Sequence, residues 1–467
     1  MRPEATRRRG GPTPARMLAL RVLDRVERSR AFADLSLHHA LARSSLVGAD
    51  RALCTELVYG TLRWRGRIDY LLGQLLDREF STLEPLVANA LRLGAYQILF
   101  TERIPATAAV DQAVHCTRAL GADRAAGLVN AVLRRLSREH ERISFPELRD
   151  DPVAHLTHAL SMPEWIARRW IEHFGADEAA ALARASNDPP RLTLRANRTR
   201  TNAAALLEAM RLRFPEALPC RWAEDGIVLG RQGNPGREPG FLSGLFTVQD
   251  EASQLVVELL DPRPGDRVLD TCAAPGTKST GIAERVGPSG EVLSLDRHGR
   301  RLALVARDAR RLGLDNIRTL ERDATRSLTD LADGTGPRHT GRPFDRVLVD
   351  APCSGLGALR RNPDARWRIR PEATEALVNL QRSILARAAT VLRPGGRLVY
   401  STCTLLPEEN EGIVSRFLQD AGHFRLVAAE EHPERLAPLL DAQGFLHCLP
   451  HRHDTDGFFA ACLERVE

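Results

Sequence analysis

Two thiols stand at matched places in this chain. Asp350-Ala351-Pro352-Cys353-Ser354-Gly355 and Tyr400-Ser401-Thr402-Cys403-Thr404 each close a short apolar run of the kind that forms a buried β-strand. A free thiol titrates near ~8.5, and its thiolate is a strong nucleophile, so cysteine is well suited to covalent catalysis near neutral pH. At the carboxyl ends of adjacent parallel strands the two sulfurs would share one crevice, with Asp350 beside them.

A third strand end points to a ligand. Val268-Leu269-Asp270 runs into Thr271-Cys272-Ala273-Ala274-Pro275-Gly276-Thr277-Lys278. Small residues and a glycine at such a turn let a ligand approach the backbone, and the helix that follows offers free N–H groups and a positive dipole end. The G-x-G-x-x-G spacing of dinucleotide sites is absent, which argues against nicotinamide or flavin. The next strands close on Asp296, suited to ribose hydroxyls, on Asp323, and on Asp350. Any one of these acids alone reads as an ordinary strand cap. The ordered set reads as an S-adenosylmethionine site, with Cys272, Ala273, Ala274, Pro275, Gly276, Thr277, Lys278, Asp296, Asp323 and Asp350 as its residues.

Lys278 is the only lysine in the chain; every other basic residue is an arginine. Such drift reflects the base composition of a genome. A position that keeps its ammonium against the drift needs a lysine, because the two side chains differ in shape, hydration and ease of deprotonation.

The elements that must hold these residues fall into a multidomain order. Residues 1–12, with Arg7-Arg8-Arg9, read as a flexible basic tail. Thr13-Pro14 reads as an N-cap and first helical position. Ala19, Val22, Leu23 and Val26, and later Val129, Val132, Leu133 and Leu136, repeat at helical spacing. Residues 13–145 therefore read as an all-helical bundle, punctuated near Gly60, Gly94 and Pro105. Residues 146–245 read as a helical connection through Trp165 and Trp170, ending at the breaker Asn187-Asp188-Pro189-Pro190. A small α+β domain then follows around the helix 203–212. Residues 246–467 alternate strands (267–272, 292–296, 317–322, 346–350, 397–401) with helix-length segments, the rhythm of a parallel α/β sheet. The stretch 333–343 reads as a loop.

The hydrophobic fraction of 43% and charged fraction of 27% suit a soluble globular chain. No apolar run reaches the ~20 residues that span a bilayer, and the start lacks the apolar core of a secretion signal. Eight cysteines without a close-spaced framework suit reduced thiols, and a cytoplasmic monomer is expected. The net charge of +6 allows a polyanionic partner. Arg360-Arg361 and Arg366-Trp367-Arg368-Ile369-Arg370 interleave cations with an indole, so Arg361 and Arg366 are candidate phosphate contacts; a solvated surface anchored by the tryptophan is the alternative. Arg63-Trp64-Arg65 and Arg134-Arg135 are similar in kind. His447, Cys448, His451 and His453 do not match the usual zinc spacings, so no metal is expected. Cys54, Cys116, Cys220 and Cys462 read as core residues.

Taken together, Cys272–Lys278, Asp350–Gly355, Ser401–Cys403 and Leu406-Pro407-Glu408-Glu409-Asn410-Glu411 resemble the Sun/Fmu family of RNA cytosine-5 methyltransferases, over essentially the whole chain. Leu57-Val58-Tyr59-Gly60, Ile104-Pro105 and 129–135 resemble that family's NusB-like RNA-binding domain. Leu449-Pro450-His451 and Asp456-Gly457-Phe458-Phe459 resemble its C-terminal end. The resemblance implies a Rossmann-like class I methyltransferase fold in the C-terminal domain. It also implies Cys403 as the nucleophile that adds to carbon-6 of a cytosine, Cys353 as the residue assisting proton removal and release, and Asp350 as the partner of the base edge. Lys278 would lie beside the base or its phosphate. The branch acting on 16S ribosomal RNA, naked or partly assembled, is the one implied, with no DNA or membrane partner. A tRNA substrate, a non-catalytic RNA-binding assembly factor, and a DNA-type scheme in which Cys353 attacks are the alternatives. Thr277 departs from the second glycine usual at that place.

Overall fold

The computed structural model describes residues 11–230, 235–333 and 341–467. The Arg7-Arg8-Arg9 tail and most of the expected loop 333–343 lie outside the described residues. The chain divides into two compact units. One holds the residues up to Asn187 together with Asn362–Ile369, and the other holds Asp188–Arg361 with Arg370–Glu467.

The first unit is helical. Pro14–Ser29 buries Ala19, Val22 and Leu23, and Ala126–Glu139 buries Val129, Val132, Leu133 and Leu136, so the apolar stripes face the core as their spacing requires. Thr13 stands at the N-cap, but its side chain caps no backbone group and instead accepts from the Arg16 guanidinium at 3.1 Å. Pro105 does open a helix, Ala106–Ala119. Gly60 and Gly94 do not punctuate anything. They lie inside Gly48–Arg63 and Pro85–Phe100, where a Cβ would collide with the Tyr96 ring and with Leu133 respectively. They are glycines because the helices touch there, a use that spacing cannot tell from a break.

The second unit carries a small domain and a large one. The small sheet runs in the order 218–219, 226–230, 192–196, 246–248, all antiparallel, against the helix Ala203–Arg211. The large sheet has the path 424–426, 458–465, 392–402, 344–350, 267–270, 291–296, 317–321, with 446–448 paired to 458–465. The strands 267–270, 291–296, 317–321, 344–350 and 392–402 are mutually parallel, and Phe458–Arg465 enters antiparallel to its neighbour. This is an open sheet of Rossmann-like order, and its crevice lies at the carboxyl ends of the parallel strands. The central strands carry runs of buried aliphatic residues (Val268, Leu269, Val347, Leu348, Leu398, Val399), because helices cover both faces, whereas the edge strand 317–321 is largely exposed. Among the described residues no helix is long and apolar enough to cross a membrane.

Candidate active site

The strand Arg267–Asp270 delivers the chain into the loop 271–276 and then the helix Thr277–Val286. Gly276 has φ +113°, and a Cβ there would sit 3.0 Å from Val305 Cα, so both conformation and packing demand glycine. Ala273 and Ala274 are buried, Cys272 and Thr277 half-buried, and Pro275 exposed. Burial raises the Cys272 thiol above its ordinary range. Asp296 ends its strand 5% exposed; one oxygen accepts from the His298 amide at 2.9 Å and the other lies 3.4 Å from Arg301. The third strand ends at Glu321, two residues before Asp323. Asp323 is exposed and accepts from the Thr325 amide and hydroxyl at 3.0 and 2.7 Å, which hold its carboxyl below the usual range.

Two groups behind this loop were not singled out from sequence. Asp270 is 1% exposed; its Oδ2 accepts from Ser279 Oγ at 2.6 Å, its Oδ1 has no hydrogen-bond partner, and burial pushes its carboxyl up to about 7. Arg195, in the small domain, donates to the Thr277 carbonyl at 2.6 Å, Thr280 Oγ1 at 3.1 Å and Glu284 at 2.7 Å, fixing the first turn of the helix. The available signal was an arginine on an otherwise uncharged strand, Leu192-Thr193-Leu194-Arg195.

Across the crevice, Lys278 Nζ donates to Asp350 Oδ2 at 2.7 Å, and Ser401 Oγ donates to Asp350 Oδ1 at 3.0 Å. The same ammonium stands 4.9 Å over the Phe458 ring, a cation–π contact that further fixes it. Cys353 Sγ and Cys403 Sγ are 3.5 Å apart. The hydrogen bond between them, with burial, holds the Cys353 thiol well above its ordinary range, so Cys353 is protonated at neutral pH. Backbone contacts tie the surrounding loops together. Gly357 N donates to the Cys403 carbonyl and Gly457 N to the Gly357 carbonyl, both at 2.9 Å, and a Cβ on Gly357 would run into the Gly457 backbone.

The two candidate phosphate contacts do not join this cluster as free cations. Arg361 is held between Asp250 at 2.7 Å and Asp456 at 2.6 Å, so its charge is already matched by two carboxylates. Arg366 is 0% exposed and donates to the Ser161 carbonyl at 3.1 Å, Asn187 Oδ1 at 2.8 Å and the Ser186 carbonyl at 3.2 Å. The expectation that Arg366 grips RNA is corrected: a guanidinium with no surface cannot reach a phosphate. Trp367 is an anchor, donating to the Leu62 carbonyl at 2.7 Å. Arg135 pairs with Glu139 and Arg65 with Glu27, while Arg134 is exposed. His447 faces Asp441 and His453 accepts from the Leu449 amide. Among the described residues no three His, Cys, Asp or Glu side chains gather as a metal site.

A family model described as 16S rRNA methyltransferase RsmB/F matches residues 257–464. The probable ribosomal RNA small subunit methyltransferase B of Bacillus subtilis is 37% identical over 455 residues, 97% of this chain and 99% of that one. The chain belongs to the RsmB/F family of ribosomal RNA methyltransferases. A protein of the same description from Synechocystis is 36% identical, again over 97% of this chain and 99% of that one. The NusB family matches residues 13–138, and the ferredoxin-like domain of RsmF/B-like methyltransferases matches 162–234. The crystal structure of PH0851 superposes with a TM-score of 0.80 at 25% identity, covering 97% of this chain and 99% of that one. The N-terminal bundle of this family member is thus NusB-like, the small domain ferredoxin-like, and the large sheet that of the methyltransferase.

Proposed function

We propose that this RsmB/F-family chain methylates carbon-5 of a cytosine in 16S ribosomal RNA, taking the methyl group from S-adenosylmethionine, with Cys403 as nucleophile. The reading rests above all on the 3.5 Å separation of two thiols beside the Lys278–Asp350 ion pair. A single thiol would serve addition; a second at contact distance serves the removal that must follow.

The crevice residues fit the donor. Asp296 at its strand end and Asp323, two residues past the end of the next strand, are carboxylates suited to ribose and adenine, and the helix start at Thr277 offers N–H groups to a carboxylate. When bound, the sulfonium supplies an electrophilic methyl. The chain's residues do the rest. Cys403, its proton lost to solvent, adds as thiolate to carbon-6, moving electron density onto carbon-5, which is otherwise a poor nucleophile. Asp350 accepts from the amino group on the base edge beside ring nitrogen-3, and the Lys278 ammonium, 2.7 Å from that carboxylate, balances the negative charge that gathers there. After methyl transfer Cys353 gives its proton to the departing Cys403 sulfur and, as thiolate, takes the proton from carbon-5; the sulfur–carbon-6 bond breaks and both thiols are restored. A base must leave its stack to reach such a crevice, which favours naked or partly assembled RNA. In this reading residues 13–145 bind RNA, 146–245 connect, 246–467 catalyse, and the enzyme acts as a cytoplasmic monomer.

The test is incubation of purified protein with labelled donor and unmodified 16S RNA, then mapping of the modified base. Cys403→Ala should bind donor and transfer nothing, a loss of at least about 10³-fold. Cys353→Ala should accumulate a covalent protein–RNA adduct. An adduct from the first variant and none from the second would reverse the two roles; label in tRNA alone would replace the substrate.

A further inference from the structure

Two consecutive residues, Glu409 and Asn410, touch the crevice walls from behind. Glu409 is 0% exposed, and its Oε2 accepts from the Ser354 amide at 2.9 Å and from Gln381 Nε2 at 2.8 Å. The same Gln381 nitrogen donates to the Pro352 carbonyl at 2.9 Å. The residues before and after Cys353 are thus both tied to one buried pair. Asn410, 3% exposed, repeats the pattern on the other thiol: its Nδ2 donates to the Thr404 carbonyl at 3.1 Å, and its Oδ1 accepts from Thr402 Oγ1 at 2.5 Å. Those two residues flank Cys403. Ser354 and Thr404 are joined by their hydroxyls at 2.6 Å, and Tyr400 donates to the Glu409 carbonyl at 2.6 Å.

We infer that Glu409 and Asn410 are paired positioning residues, each bracketing one cysteine, which together set the distance between the two thiols. Neither touches a sulfur. Because they are neighbours on one turn, a shift at either is a shift in the spacing of the two loops. This rests on the cysteine roles proposed above, and it adds an asymmetry. Freeing the Cys353 loop should impair release, while freeing the Cys403 loop should impair addition.

Two measurements on the full-length protein test it. With 16S RNA and donor, Glu409→Ala should accumulate covalent adduct, whereas Asn410→Ala should form adduct roughly 10–100-fold more slowly than the native chain, with donor affinity unchanged in both. Glu409→Gln, which keeps an acceptor in place, should recover most of the activity. The second measurement needs no RNA. Diamide, itself reduced to the hydrazine, takes the two thiol hydrogens and closes a Cys353–Cys403 disulfide, mapped by mass spectrometry. That closure should slow at least about tenfold in Asn410→Asp and in Glu409→Ala. Native closure rates in both variants would overturn the inference, and so would identical adduct behaviour of Glu409→Ala and Asn410→Ala. If the alanine variants lose donor binding, the closure rates of Asn410→Asp and Glu409→Gln decide alone: slowed in the first and near native in the second supports it, and any other pattern refutes it. Failure of the Cys403→Ala and Cys353→Ala controls would instead discard the cysteine roles and leave the closure result standing.

Discussion

The strand end Asp350–Gly355 and the arginine-rich stretch 360–370 lie a few residues apart in sequence and use their polar groups in opposite ways. At the strand end, Asp350 meets Lys278 and Ser401, and Cys353 meets Cys403, so reactive groups face one another across a crevice. In the stretch beyond, Arg366 spends its donors on the carbonyls of Ser161 and Ser186 and on Asn187, and Trp367 on Leu62. Those partners belong to the helical unit, which takes in Asn362–Ile369. A pattern of cations around an indole therefore marks how a segment is built into a bundle here, while the acids and thiols at strand ends gather into one cluster. The difference is one of geometry. A strand end has its neighbours dictated by the sheet, whereas a guanidinium on a long stem can be buried by any carbonyls the fold supplies.

Substitution on each side would sharpen or break that contrast. On the crevice side, Asp350→Asn keeps the shape and removes the charge that faces Lys278. Single-turnover methyl transfer at saturating donor should fall about 10²–10³-fold; near-native turnover would remove Asp350 from the chemistry. On the other side, Arg366→Met should leave several buried acceptors unmatched and cost on the order of 3 kcal/mol in urea unfolding. RNA affinity of the folded variant, and its salt slope, should not change. A shallower salt slope would return Arg366 to the RNA surface and erase the distinction.

The strands and the crevice were legible because both are written locally. Buried parallel strands are apolar runs, and the residues that end them are fixed by where the run stops, so Asp296, Asp350, Cys353 and Cys403 could be placed to within a residue or two. What was not legible depends on partners far along the chain. Arg366 is separated by 205 residues from Ser161, whose carbonyl it binds, and nothing near it in sequence says that it is buried. Gly60 and Gly94 carry the local signature of a break, and only Tyr96 and Leu133 explain them. Arg195 lies 82 residues from the Thr277 carbonyl that it fixes. Glu409 and Asn410 stood in a recognisable motif, but their work runs through the backbone on either side of two distant cysteines, which no spacing rule expresses.

The buried ionisable groups of the two regions offer the finest distinction. Burial pushes Arg366 down to about 9, so it keeps its charge through the neutral range. Burial pushes Asp270, behind the donor loop, up to about 7. An unfolded aspartate titrates near ~3.9, so below that pH both states of the chain hold the Asp270 proton and the group makes no difference. Between about pH 4 and 7 the folded protein still holds a proton that the unfolded chain has released, and folding stability falls as pH rises through that window. Above about 7 the loss is complete. Asp270→Asn keeps a group for Ser279 and cannot ionise, so it should remove that slope. Relative to the native chain it should gain on the order of 2 kcal/mol between pH 5 and pH 7, read as the divergence of two urea-unfolding series. Arg366→Met should show no such divergence over the same range. Parallel pH curves for Asp270→Asn and the native protein would mean that this carboxyl is ionised in the fold, its charge balanced by Lys278, and that the crevice side tolerates buried charge as readily as the arginine stretch does.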